Sequence, residues 1–544
     1  MKNTNWLSFT IIILGLLNIN AQTFTQQDSL RGSITPERAW WDLNYYHLDI
    51  EVDPGDKFIK GSNTIRYKVL EENQLLQIDL QPPLKITRIT QDDQSLTFNS
   101  NGNVHVVDLI KPQKIGSFNE VKVYYEGHPK EAVNAPWDGG FSWKKDSQGN
   151  PFVATSCQGL GASVWWPNKD HMYDEVDSMA ISVSVPKDLM NVSNGRLREV
   201  EEKGDLKTYH WYVANPINNY GVNVNIADYV HFKETYDGEK GSLSLDYYVL
   251  KENLEKAKEQ FKQVPMMLDA FENWFGPYPF YEDGFKLVEV PYLGMEHQSS
   301  VTYGNKYQNG YLGRDLSRSG WGLKFDFIII HESGHEWFAN NITYRDIADM
   351  WVHEAFTAYS ENLYLDYHYG KEASAEYVIG TRDLIANDRP IIGSYGVNKE
   401  GSNDMYYKGA NMLHTLRQLL EDDSLWKEIL RGLNEKFYHQ TVTTEQIENY
   451  LSEKTQKDLS AFFNQYLRTT QIPVLEFKIK DDYITYRYND VVDNFDMPVR
   501  VFVGLKEYWL FPNNKWKTEK LKGISKDGLL LDRNFYIESI KVMD

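Results

Sequence analysis

The repeat of apolar residues changes period twice along this chain, and that constrains its architecture more than any other feature. From about Trp40 to Phe232 apolar side chains alternate with polar ones. In "YHLDIEV" Leu48, Ile50 and Val52 share one face, and after the turn "DPGDK" Ile65, Tyr67 and Val69 do the same in "TIRYKV". Period two places every second side chain on the same side of a strand, so this stretch reads as all-β. From about Phe325 to Gln465 the period is helical, and "TTEQIENYL" offers Thr443 and Gln446 as a capping box. After Ile472-Pro473 alternation returns in "VLEFKI", "YITYRY" and "VRVFV". Between the first two regions "KENLEKAKEQFKQV" reads as helix with Pro265 at a boundary, and "FKLVEVPYLGMEHQSS" as a strand entering a loop.

The 544 residues are too many for one core. The expected division is 1–21 as a signal peptide, 22–235 as a β-domain, 236–471 as a mostly helical domain and 472–544 as a small β-sandwich. "MKNTNWLSFTIIILGLLNINAQ" has the layout of a secretory signal, with cleavage expected after Ala21 and export to the periplasm or the medium. Its apolar run is shorter than a membrane span needs, and no later segment qualifies. The only cysteine is Cys157, so no intrachain disulfide is available. A formal charge of −20 argues against nucleic-acid binding, which requires a basic stripe to meet phosphates. Aromatic content of 14% agrees with extensive β-structure.

The chemistry concentrates in "IIIHESGHEW", Ile328 to Trp337. Three isoleucines take the segment into a core, where ionisable groups are costly unless something pairs with them. His331 and His335 lie four apart, so on a helix their Cβ atoms share a face at roughly 6 Å. Two imidazoles so placed can hold one zinc ion, with Glu332 beside it to move protons. Eighteen residues separate His335 from Glu354, which sits on a second amphipathic helix with Trp351, Ala355, Ala358 and Leu365. Two histidines and one glutamate leave a coordination position open, the pattern of a catalytic rather than a structural zinc. His353 points about 100° away on the same helix and is read as packing.

These motifs resemble the gluzincin aminopeptidases of the aminopeptidase N type, whose His-Glu-x-x-His, eighteen residues, Glu pattern this chain matches without gaps. "GMEH" from Gly294 to His297, with Met295 and Glu296 between, is similar to the family's Gly-x-Met-Glu-Asn motif. "YYKGANML" resembles the Tyr-x-Lys-Gly helix start, with Tyr406 as the match. "TSCQGLGASVWWPNKD" resembles the segment that reaches into the family's active site, with Gln158 facing substrate. The resemblance implies a multidomain α+β fold: a saddle-like all-β domain, a thermolysin-like mostly helical catalytic domain and a small C-terminal β-sandwich, without the helical domain that many relatives add.

It also implies an aminopeptidase with one Zn2+ per chain. His331, His335 and Glu354 would be ligands, Glu332 the general base toward a metal-activated water, and Tyr406 the donor to the oxyanion. Glu296 and Gln158 would hold the substrate's free α-ammonium, and Gly294 would let a strand-like peptide approach the backbone. The chain departs from the family at His297, Glu336, Ala355 and His353. A di- or tripeptide-preferring enzyme, an endopeptidase and a catalytically silent peptide-binding protein are the competing readings, and oligomeric state is open.

Overall fold

The computed structural model of the protein describes residues 24–543; the expected signal peptide lies outside them. The described residues open on a short helix, α1 (Gln26–Gly32), started by a capping box between Thr25 and Asp28. The alternating region then builds an eight-stranded sheet centred on Trp41–Asp53 and Phe58–Val69, which pair antiparallel from Trp41↔Val69 to Asp53↔Phe58. Ser178–Pro186 joins the other side of Trp41–Asp53 in parallel. A four-stranded and a three-stranded sheet complete this lobe, and Leu48, Ile50, Ile65 and Tyr67 are buried in its core as alternation requires.

Strand Tyr229–Gly238 runs through residue 235 and pairs with Gly241–Leu250, starting a five-stranded sheet that also contains Phe285–Glu289. The period-two pattern runs on unbroken across this change of sheet. That is why alternation alone does not mark it. Pro265 falls in the first turn of α2 (Gln263–Phe275), where a missing N–H costs nothing.

Three further helices carry the chemistry. α3 (Phe327–Gly334) is started by Asp326, whose Oδ1 accepts from the N–H groups of Ile328 and Ile329 at 3.1 and 3.4 Å. Ile328, Ile329 and Ile330 are fully buried, each contributing roughly 1.5–3 kcal/mol to anchoring the helix. α4 (Trp351–Tyr369) crosses α3 closely. A Cβ on Gly334 would lie 2.6 Å from Ser360 Oγ, so any larger residue would force Ser360 to move. α5 (Tyr407–Leu420) packs on α4 through Gly409, where a Cβ would lie 2.5 Å from that of Ala355. After His335 the helix opens into a wide turn, Glu336–Asn341. The capping box at Thr443 and Gln446 is formed.

The final alternating segment forms a four-stranded and a three-stranded sheet. Their core residues, such as Tyr488 and Val501, are continuous with those of the helical lobe. The architecture is therefore β-rich, then helical, then β-rich, as expected. Among the described residues no helix is long and apolar enough to cross a membrane.

Candidate active site

α3 presents His331, Glu332 and, at its C-terminal cap, His335; α4 presents Glu354 in its first turn. His335 keeps right-handed helical backbone angles, so the four-residue spacing still stacks the two imidazoles on one face. Glu354 Oε2 lies 3.4 Å from His335 Nε2 and 3.8 Å from His331 Nε2. Ligand atoms about 2.0–2.1 Å from one tetrahedral ion lie roughly 3.3 Å from each other, so the spacing fits a zinc ion. Glu354 Oε2 is buried and has no hydrogen-bond donor among the described residues. An orphaned carboxylate oxygen facing two ring nitrogens calls for a cation.

The other atoms of these ligands are held. His331 Nδ1–H donates to Glu361 Oε1 at 2.7 Å, which directs Nε2 at the site, and Glu361 Oε2 accepts from the Tyr377 hydroxyl at 2.6 Å. His335 Nδ1 is 3.0 Å from the Phe338 carbonyl and 3.0 Å from Thr357 Oγ1. The wide turn after His335 brings that carbonyl back.

Burial opposes charge on His331, yet the nearby carboxylates of Glu354 and Glu361 outweigh it and raise it well above the imidazole range. Burial likewise opposes ionisation of Glu354, but His335 and His331 pull it well below the carboxylate range. Burial pushes Glu332 up to about 7 against the pull of His331, with Glu296 adding to the rise. These groups hold one another in the charged state that a bound cation would replace.

Glu296 Oε1 accepts from Gln158 Nε2 at 2.6 Å and from the Tyr220 hydroxyl at 3.1 Å. Gln158 Nε2 also reaches Glu354 Oε1 at 3.1 Å. One amide thus links Glu296 to the metal-facing set. Tyr406 stands at the start of α5 with its ring 6.1 Å from that of His331, at 23° between planes. Burial, and then the charges of Glu354, Glu296 and Glu332, raise its phenol well above the usual range, so the proton stays on the oxygen. Gln158, Gly294, Met295, Glu296, His331, Glu332, His335, Glu354 and Tyr406 line one cavity of about 770 Å³.

Gly294 meets a demand not expected from sequence: a Cβ there would lie 2.7 Å from Ile328 Cγ2 and 3.2 Å from Glu332 Oε1. His353 accepts from the Tyr344 N–H at 2.8 Å, away from the ligand set. His297 is buried with neither ring nitrogen hydrogen-bonded in the described residues, and burial depresses it to about 3. Glu361 and Tyr220 were not singled out from sequence. Glu361 is seven residues after Glu354 on one helical face, a signal that was available; Tyr220 is one of 36 tyrosines and carries none.

A His/His/Glu set on two packed helices, with a carboxylate left to move protons, defines a zinc metallopeptidase. Residues 43–220 match the peptidase M1 N-terminal domain, and residues 259–466 the peptidase family M1 domain. The chain belongs to peptidase family M1. Leukotriene A-4 hydrolase of Xenopus laevis is 23% identical over 77% of this chain and 68% of its own length. Probable aminopeptidase 1 of Sulfurisphaera tokodaii is 20% identical over 82% of this chain, which spans 55% of that relative. In fold, the M1 zinc metallopeptidase of Deinococcus radiodurans matches with a TM-score of 0.67 and 19% identity, covering 80% of this chain and 95% of its own.

Proposed function

We propose that the protein is a zinc-dependent aminopeptidase that removes N-terminal residues from peptides. The observation that carries this reading is the bridge from Glu296 through Gln158 to Glu354. A carboxylate and an amide beside the metal-facing set are suited to an α-ammonium, and an amine held there would set the cut one residue along the peptide. Bringing a charged amine out of water is costly unless such partners wait for it, so a blocked N-terminus loses its reason to bind. The relatives' names support the activity, and a Deinococcus radiodurans structure contains a Tyr-Ser-Ala substrate.

His331, His335 and Glu354 would hold the zinc ion, which, when bound, acts as a Lewis acid on the carbonyl and acidifies water. Glu332, raised to about 7 by burial, is suited to take the water's proton and pass it to the departing amine. The protonated Tyr406 hydroxyl donates toward the negative charge that develops on the carbonyl oxygen. Glu361 and Thr357 keep the two imidazoles in the orientation that frees Nε2. Export to the periplasm or the medium belongs to the same proposal and is supported by the amino-terminal sequence pattern.

The test is a panel of amino-acid arylamides beside their N-acetylated counterparts, with and without chelator. Chelator-sensitive turnover of the free-amine set alone is expected. Turnover of the acetylated set overturns the exopeptidase assignment, and turnover of neither favours a peptide-binding protein.

A further inference from the structure

The cavity has a wall that the catalytic groups do not provide. Phe24, Gln27, Asp28 and Arg31, from α1 and the residue leading to it, line it together with Asn398 and Lys399. α1 is fixed on both sides. Gln27 Nε2 donates to the Asn101 carbonyl at 3.1 Å and its Oε1 accepts from the Asn103 N–H at 3.0 Å, while the Asp28 carbonyl accepts from the Asn398 N–H at 3.0 Å. Asn398 Nδ2 in turn donates to the Gly159 carbonyl at 3.0 Å, next to Gln158.

Arg31 closes this circuit. Gly161 has φ of 94°, and a Cβ there would lie 2.0 Å from Arg31 Nη2. The guanidinium therefore rests against the loop that carries Gln158, three residues from it. Arg31 and Glu296 line the same cavity, and Gly161 puts the guanidinium beside the loop whose Gln158 donates to Glu296. If Glu296 and Gln158 hold the substrate's amine, the side chain of that same residue leaves a carbon one bond away. The wall beside the Gln158 loop is what it meets.

The ionic groups on this wall differ in what they have left to offer. Asp28 Oδ2 is taken by the Thr25 N–H and Oγ1 at 2.8 and 2.7 Å. Lys399 stands 3.9 Å from Glu400 and is 48% exposed. Asp138 Oδ2 accepts from the Val133 N–H at 2.7 Å, while its Oδ1 has no donor among the described residues. The Arg31 side chain is 14% exposed; its buried Nε lies 3.3 Å from Asp170 Oδ2 without a hydrogen bond, and its terminal nitrogens make none among the described residues either. A guanidinium presents five N–H donors, and a nearly buried one with donors unspent gains from a planar acceptor.

We infer that α1 forms part of the pocket for the side chain of the substrate's first residue, and that Arg31 selects a carboxylate or carboxamide there. The inference rests on the aminopeptidase reading and names its substrate class: peptides beginning with Glu, Gln, Asp or Asn. Methionine has the length of glutamate without the acceptor, and a site built to hydrogen-bond a substrate group discriminates against the analogue that lacks it.

The experiment compares glutamyl, glutaminyl, methionyl and lysyl arylamides on the zinc-loaded full chain. Glutamyl and glutaminyl substrates are expected to exceed methionyl at least tenfold in kcat/KM. In Arg31→Gln that ratio should fall at least fivefold, with the melting temperature recorded alongside. Methionyl or lysyl turnover equal to or above glutamyl in the unaltered protein overturns the inference without any variant. So does an unchanged ratio in folded Arg31→Gln. Free glutamate and free methionine are also compared as thermal-shift ligands. Equal protection by both counts against Arg31 as the selector even where no arylamide turns over, whereas absence of all turnover is what fails the aminopeptidase reading.

Discussion

Gln158 and Glu354 stand 196 positions apart in sequence, yet the amide of one donates to the carboxylate of the other at 3.1 Å. Gln158 belongs to the β-rich lobe and Glu354 to the helical one, so the site is assembled across two cores. Gln158→Ala removes the donor to both Glu354 and Glu296. The expected outcome is a roughly tenfold rise in KM for free-amine substrates with zinc content unchanged. Loss of zinc in parallel with activity would show instead that the amide supports the ligand set.

Glu332→Gln keeps the size of the side chain and removes its basicity. kcat should fall by about 10²–10⁴-fold while metal stoichiometry stays at the level of the unaltered protein. The comparison needs steady-state kinetics beside elemental analysis.

Glu361→Gln replaces the charge that orients His331. Metal affinity should weaken by about 10–100-fold, read by competition with a chromophoric chelator. An unaltered affinity would mean that Glu361 serves only packing with Tyr377.

Gly294→Ala puts a methyl group where Ile328 and Glu332 already stand. Overpacking of this kind costs about 1–3 kcal/mol, so the melting temperature should drop and turnover should fall with it through displacement of Glu332. Full activity in the variant would show that the strand moves aside freely.

Asp326, the cap of α3, is raised to about 6, chiefly by burial, although Gln260, Tyr303 and Asn305 side chains and helix N–H groups work against the rise. Its folded value therefore exceeds its unfolded one, near 3.8. Below the lower value this carboxyl's contribution to stability is fully present, and it is lost as pH rises through the window from about 4 to 6, by up to ~3 kcal/mol. Asp326→Asn has no titrating group at this position. Denaturant unfolding of both proteins at pH 4 and pH 6.5 should show the unaltered protein losing stability relative to the variant as pH increases.

Much of this was legible in the residues because it obeys local periodicity. The pair His331 and His335 can be read from a four-residue spacing, since a helix turns that number into a shared face. The β-rich and helical regions announce themselves by period in the same way. What escaped notice depends on contacts between distant parts. Tyr220 donates to Glu296 from a loop 76 residues away, and nothing in its neighbourhood distinguishes it from other tyrosines. α1 is only seven residues long, too short for an amphipathic pattern, although Thr25 and Asp28 spell a capping box. The demand for Gly294 appears only once α3 is packed against its strand.

Cys157 is buried beside Gln158, and its thiol donates to the Tyr220 carbonyl at 3.5 Å, held protonated by burial. The single sulfhydryl of the sequence thus lies in the β-rich core one residue from Gln158, whose amide makes the seam with Glu354 of the helical lobe. A maleimide or disulfide reagent should leave the resting protein unmarked. The rate at which it does attach becomes a clock for how often that seam breathes, readable without any substrate.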